Sequence, residues 1–416
     1  MRHARSQRMV DDSLARIASR DAQVRAWLHV ADGPAAAAAR MLDAEPAPRG
    51  ALHGVPIGVK DVFDTADMPT THNSPLFSGQ RPAQDAAAVA VLRAAGAVIL
   101  GKTDTTEFAC AGRDAATANP HDLTRTPGGS SAGSAAAVAD GHVRIALATQ
   151  TGGSTIRPAS FCGVHGFKPT WGLVSREGMK LYSASLDTVG WHARSVDDLD
   201  LPCVAFGLAA PPPAPARPLR IALCRTPWWD QADPDGQEAL ERVAAALRRA
   251  GATVEEVALP PPLEASPDPY RALLFREGGA AFLPLARTRG ALLHADFHTR
   301  VDSAATYDDA ALCAAWDMAA DGRRAVEAML AGYDAMLAPS APGVAPPGRG
   351  PGNPIFNQLW TMLHLPVVTL PLARGAHDLP IGVSLVAPRC HDRRLLDVAR
   401  AVEAGLAPLG IVPTCA

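Results

Sequence analysis

The sequence predicts an α/β protein, one large domain in which helices cover the faces of a β-sheet. Three observations carry this. The chain has 416 residues, 48% of them hydrophobic and 19% charged; that is enough apolar matter for a large core and far from the composition of disorder. Segments with apolar residues at three- and four-residue steps alternate with short apolar runs, the pattern of helices interleaved with buried strands. No segment recurs at the period of a solenoid.

Residues 9–45 read as helical, with PAAAAARMLDA favouring helix on propensity alone. HGVPIGVKDVF at 53–63 reads as a short buried strand bounded by Gly and Pro. From Asp85, DAAAVAVLRAAGA is a helix with an acid in its first turn and Gly96 near its end, and AVILGKT follows as a strand. GSAAAVADG, from Gly133, is a helix of small residues that can bring its backbone close to a sheet; HVRIALATQ is the next strand. The PPPAPARP run at 211–218 is stiff and polyproline-like. Because RIALCRTPW continues directly as a strand, and EALERVAAALRRAGATVEEV as helix then strand, the run reads as a loop within one domain. Residues 260–335 are mostly helical. YDAMLAPSAPGVAPP is a strand entering a Pro-rich loop, FNQLWTMLHLPVVTLPL and LPIGVSLVAPR give late strands around a helix, and DRRLLDVARAVEAG is the terminal helix.

Composition removes several function classes. With 39 basic and 42 acidic residues, a formal net charge of -3, no nucleic-acid partner is expected. No apolar run reaches the roughly eighteen residues of a membrane span, so no membrane is expected either. The basic MRHARSQRMVDDS leads into DDSLARIASRDAQV rather than an apolar run, so no secretory leader is read. The seven cysteines are scattered without C-x-x-C spacing, which reads as free thiols in a reducing compartment, the cytoplasm. No His, Cys, Asp or Glu spacing points to a metal: His53 stands alone, and Cys390-His391-Asp392 reads as a helix start.

Two glycine-serine turns remain, TPGGSSAGSAAAV at 126–138 and TQTGGSTIRPASFCG at 149–163. Neither has the spacing of a phosphate loop or a dinucleotide fingerprint, and the GKT at 101–103 lacks the upstream glycine. His165 is the histidine nearest the second turn and reads as a satisfied core residue. Hydroxyl chemistry fits better. A serine becomes a useful nucleophile only when a neighbour takes its proton. Gly152 and Gly153, lacking Cβ atoms, permit a turn whose N–H groups converge on a developing oxyanion, with Ser154 at its rim. The base need not be histidine: Lys60 lies in the apolar GVPIGVKDV, where burial would favour its neutral form.

These motifs resemble the amidase signature family, whose members hydrolyse carboxamides with a Ser–cis-Ser–Lys triad. The resemblance spans most of the chain: HGVPIGVKD at 53–61, AGAVILGKTDTTEF at 95–108, TPGGSSAGSAAAV, TGGSTIRPASFCGVHGFKPT at 151–170, LDTVG at 186–190 and the closing LPIGVSLVAPRCHDRRLL. It implies a single domain with a mixed, twisted central sheet covered by helices on both faces. It implies Ser154 as nucleophile, Ser130 as the bridging serine behind a cis Gly129–Ser130 peptide, and Lys60 as general base. The oxyanion hole falls on the backbone N–H groups of Thr151, Gly152, Gly153 and Ser154. No metal or cofactor is implied; the partner is a small-molecule amide, and the assembly a homodimer. Ser131 is the rival for the bridging role, and Asp187 and Lys168 read as structural.

The chain departs from the family's frequent TDTGGSIRIPA. It has Gln150 where an acid is usual, Arg157 one position later than a common arginine, and Ser384 where glutamine is frequent. This style resembles the malonamidase and allophanate-hydrolase branch, where an arginine three residues past the nucleophile is associated with an acidic substrate. Arg157 is therefore a candidate for binding a substrate carboxylate; the other reading is a scaffold arginine paired with a buried acid. The expected activity is hydrolysis of a small carboxamide to a carboxylate and ammonia through an acyl-enzyme, on a malonamate- or allophanate-like amide. Two alternatives stand beside it: the amidase subunit of a tRNA-dependent amidotransferase, and a non-catalytic binding protein. Along the chain, 1–50 is expected to be a helical segment packed on the core, 51–200 the catalytic core, 201–340 a variable region shaping the pocket, and 341–416 the end of the same domain.

Overall fold

The computed structural model describes residues 5–212, 217–261, 263–265 and 267–414; the middle of the Pro-rich run, 213–216, and Cys415 lie outside them. Among these residues eleven strands form one sheet: β1 (Trp27–Val30), β2 (Pro56–Lys60), β3 (Val98–Thr103), β4 (Ile145–Gln150), β5 (His165–Lys168), β6 (Thr188–Ala193), β7 (Arg220–Leu223), β8 (Thr253–Glu256), β9 (Ala335–Pro339), β10 (Val367–Arg374) and β11 (Pro380–Val386). Their spatial order is β1-β3-β2-β4-β6-β5-β10-β11-β9-β7-β8. Strands β3, β2 and β4 run parallel, as do β9, β7 and β8, and antiparallel pairs fill the middle. The sheet is therefore mixed. Strand β7 pairs with both β8 and β9, so the chain beyond the Pro-rich run rejoins the same sheet.

Side chains on a strand alternate between faces, and the core divides accordingly. Ile145 and Leu147 of β4 pack with Val89 and Leu92 of α3 (Ala87–Ala94), while Ala146 packs with Val10 and Ile17 of α1 (Arg5–Val24) and Ala35 and Ala39 of α2 (Asp32–Asp43). In the other half Leu337 of β9 shares the first cluster. Met336 and Ala338 pack instead toward the long helices Pro267–Arg289 and Asp309–Leu330. Helices thus cover both faces, and no helix among the described residues is long and apolar enough to cross a membrane.

The expected small-residue helix is present as Ala132–Ala139. It lies so close to the sheet that a Cβ on Gly133 would stand 2.3 Å from the Ala26 carbonyl oxygen and 2.4 Å from the Asp104 nitrogen. Only glycine fits there.

One expected element differs. The helix read over 9–45 is broken by β1, which pairs antiparallel with β3. Arg25 turns the chain at φ 57°, the Asp21 carboxylate holds the Ala26 N–H at 2.6 Å, and the buried Trp27 indole donates to His142 at 3.0 Å. A four-residue strand carries too little periodicity to be read, and its partner is distant in sequence. Strand β5, also four residues long, escapes a reading of the sequence for the same reason, and the six-residue β6 is missed as well.

Gly133→Ala is expected to destabilise the fold by about 1–3 kcal/mol through overpacking, read as a lower Tm. An unchanged Tm would mean that the helix can lift off the sheet without cost.

Candidate active site

The parallel strands β3, β2 and β4 end side by side, and in open α/β sheets ligands gather at such carboxyl ends. Lys60 is the last residue of β2, and Thr149 and Gln150 close β4. The chain then turns through Thr151–Ser154 into the helix Ile156–Cys162. Ser130 and Ser131 arrive at the same place at the head of the Ala132–Ala139 helix.

Lys60 is fully buried. Its Nζ contacts three hydroxyls and no carboxylate: Ser130 Oγ at 2.7 Å, Thr149 Oγ1 at 2.7 Å and Ser131 Oγ at 3.0 Å. Burial holds the amine well below the ordinary lysine range, and the nearby charge of Asp187 opposes this only in part. That carboxylate is itself occupied. Its oxygens accept from Thr151 Oγ1 at 2.6 Å, Tyr182 N at 2.7 Å and Ser183 N at 3.1 Å. Burial nevertheless raises its pKa, against the pull of the Thr151 hydroxyl.

The two serines of the first turn are not equivalent. Ser131 Oγ also accepts from Thr149 N at 3.2 Å and donates to Thr149 O at 3.2 Å, so its proton is committed to the β4 backbone. Ser130 Oγ has Lys60 as its protein partner. The peptide joining Gly129 to Ser130 is cis, as the resemblance implies. The sequence is expected to lack a G-x-S-x-G nucleophile elbow, and this is corrected: by its letters Gly129–Gly133 fits one centred on Ser131. Ser131 is fully buried, and no strand leads directly into its turn.

Ser154 lies at the rim of the second turn, 8% exposed. Its Oγ makes no hydrogen bond among the described residues, so Lys60–Ser130 is the closed half of the expected relay and Ser130–Ser154 the open half. Catalytic contacts of this kind commonly tighten only around substrate. The four carbonyls of the turn are all held away. Thr151 O accepts from the Tyr270 hydroxyl at 3.3 Å, Gly152 O from Thr361 Oγ1 at 2.9 Å, Gly153 O from Arg157 N at 2.9 Å and Ser154 O from Ser131 N at 3.3 Å. A trans peptide points its N–H opposite to its C=O. The N–H groups of Gly152, Gly153 and Ser154 are therefore each turned away from the partner that holds the preceding carbonyl, and they have no acceptor among the described residues.

Arg157 is 3% exposed. Its Nη2 donates to the Gly129 carbonyl at 2.7 Å, while Nε and Nη1 are buried without partners. No carboxylate pairs with it among the described residues, which removes the reading of a scaffold arginine tied to a buried acid. Burial lowers its pKa to about 10. Asn357 packs beside it: a Cβ on Gly153 would stand 3.1 Å from Asn357 Nδ2 and 3.2 Å from Arg157 Nη1.

Sequence reasoning misses Thr149, Tyr270, Asn357 and Thr361. Thr149 stands within the quoted motif; the others come from helices that carry no motif. Ser384 joins a hydroxyl cluster with Ser340 at 2.7 Å. A surface cavity of about 770 Å³ between Trp171, His364 and Arg394 is lined by none of Lys60, Ser130 and Ser154. The chemistry, not this hollow, locates the site.

A buried amine among hydroxyls beside a glycine turn with free N–H groups is the equipment of a hydrolase on an α/β scaffold. The chain belongs to the amidase family, whose model matches residues 8–396. It is 37% identical over 470 residues, covering 98% of this chain and 94% of the relative, to a glutamyl-tRNA(Gln) amidotransferase subunit of Anaeromyxobacter sp. (strain K). Native peptide amidase from Stenotrophomonas maltophilia aligns with a TM-score of 0.81 at 31% identity, covering 97% of this chain and 94% of that one. A chain from a vestigial protein complex bearing on the origins of an s-triazine catabolic enzyme aligns at 0.86 and 30% identity, covering 98% and 96%. The protein is an amidase-signature hydrolase acting on carbon–nitrogen bonds.

The hydroxyl cage makes a pH prediction. Thr149→Val removes one acceptor that favours the charged amine, so the Lys60 pKa falls further and the acid limb of kcat/KM moves to lower pH. An unmoved limb would show that another group sets it.

Proposed function

We propose that the chain cleaves the C–N bond of a small carboxamide through an acyl-enzyme, with Ser154 as nucleophile, Ser130 as proton bridge and Lys60 as base. The observation that carries this is the fully buried Lys60 amine, 2.7 Å from Ser130 and without a carboxylate partner. Neutral Lys60 takes the Ser154 proton through Ser130 as Oγ attacks the carbonyl carbon. The N–H groups of Thr151, Gly152, Gly153 and Ser154 bear the oxyanion. The same relay returns the proton to the departing nitrogen, and water then releases the acid. Ser131, its proton committed elsewhere, is a supporting residue.

The substrate carries a carboxylate. The buried Arg157, with Nε and Nη1 unpartnered, supports this, because a guanidinium left unpaired in the interior is costly and a carboxylate can both offset its charge and accept from a free N–H. Two contexts meet that chemistry. In one, the chain is the amidase subunit of a tRNA-dependent amidotransferase, freeing ammonia from glutamine beside a second protein chain; the amidotransferase relatives favour this context. In the other, the chain is a free-standing homodimeric cytoplasmic amidase acting on a malonamate- or allophanate-like amide, and the position of Arg157 favours it. The relatives weigh more, and we place the amidotransferase reading first. Residues of the 201–340 segment, Tyr270 among them, form the wall of the pocket.

Ammonia release across glutamine, malonamate, allophanate and neutral aliphatic and aromatic amides tests the proposal. Wild type is expected to act on carboxylate-bearing amides and Ser154→Ala on none. Arg157→Lys should raise KM for the acidic amides at least tenfold by losing the fork. Glutamine turnover with a co-purifying second chain selects the first context, malonamate or allophanate turnover by a homodimer the second. Ammonia release by Ser154→Ala at the wild-type rate would overturn the mechanism.

A further inference from the structure

We propose that Gln150 and Thr361 form a one-way hydrogen-bond relay that aims the Gly153 N–H at the oxyanion, making both of them positioning residues for the reaction. The inference rests on the assignment of the glycine turn as the oxyanion hole. Gln150 is fully buried at the end of β4. Its Oε1 accepts from Thr155 N at 3.0 Å and Ile156 N at 3.1 Å, the first free donors of the helix after the turn. With the oxygen fixed by two donors, the amide orientation is settled, and Nε2 faces Thr361 Oγ1 at 3.0 Å.

An amide nitrogen can only donate. Thr361 must therefore receive that hydrogen bond, and its own proton is directed onward. Two carbonyls lie in reach, Gly152 O at 2.9 Å and Asn357 O at 3.1 Å. The Asn357 carbonyl sits one helical turn behind Thr361 on the same helix, where the backbone ladder already engages it. Gly152 O is the nearer and otherwise unengaged acceptor. Holding that carbonyl fixes the plane of the Gly152–Gly153 peptide and points the Gly153 N–H away from Thr361. Gly152 and Gly153 have no side chains to hold this plane themselves, so the hold must come from outside.

A carboxylate at 150 would reverse the direction. It could still accept from Thr155 N and Ile156 N, but toward Thr361 it could only accept. The threonine proton would turn to the acid and release Gly152 O. The glutamine in this chain is thus chemically distinct from the acid at a position where only the proton order differs.

The test separates capping from relay. Gln150→Glu keeps the acceptor that caps the helix and loses the donor. Thr361→Val loses the hydroxyl, and Thr361→Ser keeps it. Each variant, with a Tm as fold control, is followed by its rate of labelling with a fluorophosphonate probe. In that reaction Ser154 Oγ displaces fluoride from phosphorus and the P=O oxygen enters the oxyanion hole, so no substrate need be known. Gln150→Glu and Thr361→Val are expected to lower kinact about tenfold with KI changed less than about twofold, because removal of a whole oxyanion donor costs about 100- to 1000-fold. The double variant should lose no more than the worse single one, and Thr361→Ser should retain wild-type labelling. Wild-type kinact in Gln150→Glu, or losses that multiply in the double variant, would overturn the relay while leaving the nucleophile assignment intact. Labelling that survives in Ser154→Ala would overturn the nucleophile assignment, and the relay with it.

Discussion

The site depends on keeping one lysine buried and unpaired. An ammonium in the interior without a counterion is costly enough that the group sheds its proton instead. The neighbouring strand supplies the contrast. Lys102 on β3 is just as buried, yet its Nζ lies 2.9 Å from Asp61. Although burial lowers its pKa as well, the Asp61 charge draws it back toward the ammonium. Lys60, one strand over, meets only hydroxyls, and the one acid near enough to matter, Asp187, is saturated by Thr151 and two backbone N–H groups. Two lysines on adjacent parallel strands are thus both lowered by burial, but only Lys102 has a carboxylate to favour its ammonium, and Lys60 is left free for the base role proposed for it.

The same economy of partners shapes the glycine turn. An oxyanion hole needs N–H groups that nothing else in the protein claims, yet an unclaimed backbone in a glycine-rich loop has no reason to hold one conformation. The structure resolves the conflict by anchoring the carbonyl side. Tyr270, Thr361, the Arg157 backbone and Ser131 each take one carbonyl. All but the Arg157 backbone come from separate stretches of chain, so the turn is fully held only when the domain is folded around it. In the proposed reaction this would be electrostatic preorganisation, with donors fixed before charge develops.

That dispersal explains what is legible in the sequence. Lys60, Ser130 and Ser154 stand in glycine-rich motifs because the backbone there must do something only glycine allows, and such constraints leave a local mark. The alternation of helix and strand is equally local, and so readable. The break in the first helix at β1 is not, since it depends on pairing with β3 some seventy residues away. Tyr270, Asn357 and Thr361 are hidden for a related reason. Each lies on an ordinary helix, and nothing in its neighbours distinguishes a tyrosine that meets a catalytic turn from one that fills a core. Gln150 lies between. Its departure from the usual acid is visible, but its consequence needs the position of Thr361.

Arg157 bears on how sharply the site can choose. A pocket that tells substrates apart by apolar shape discriminates by about 10- to 200-fold per methylene, whereas one whose buried polar groups are left unpaired by the wrong ligand discriminates by about 10⁴- to 10⁵-fold. The Arg157 guanidinium is of the second kind, with Nε and Nη1 buried and without partners. A neutral amide would leave both N–H groups unmade and the guanidinium charge uncompensated. A carboxylate would compensate the charge and accept from at least one of them. Because Nη2 also holds the Gly129 carbonyl, the guanidinium plane is fixed before any ligand arrives, and little of the carboxylate's binding energy is lost to ordering it. In the proposed reading Arg157 therefore holds the Ser130 loop through Nη2 while Nε and Nη1 stay free, so that a bound carboxylate would be placed by the element that also contacts the peptide before Ser130.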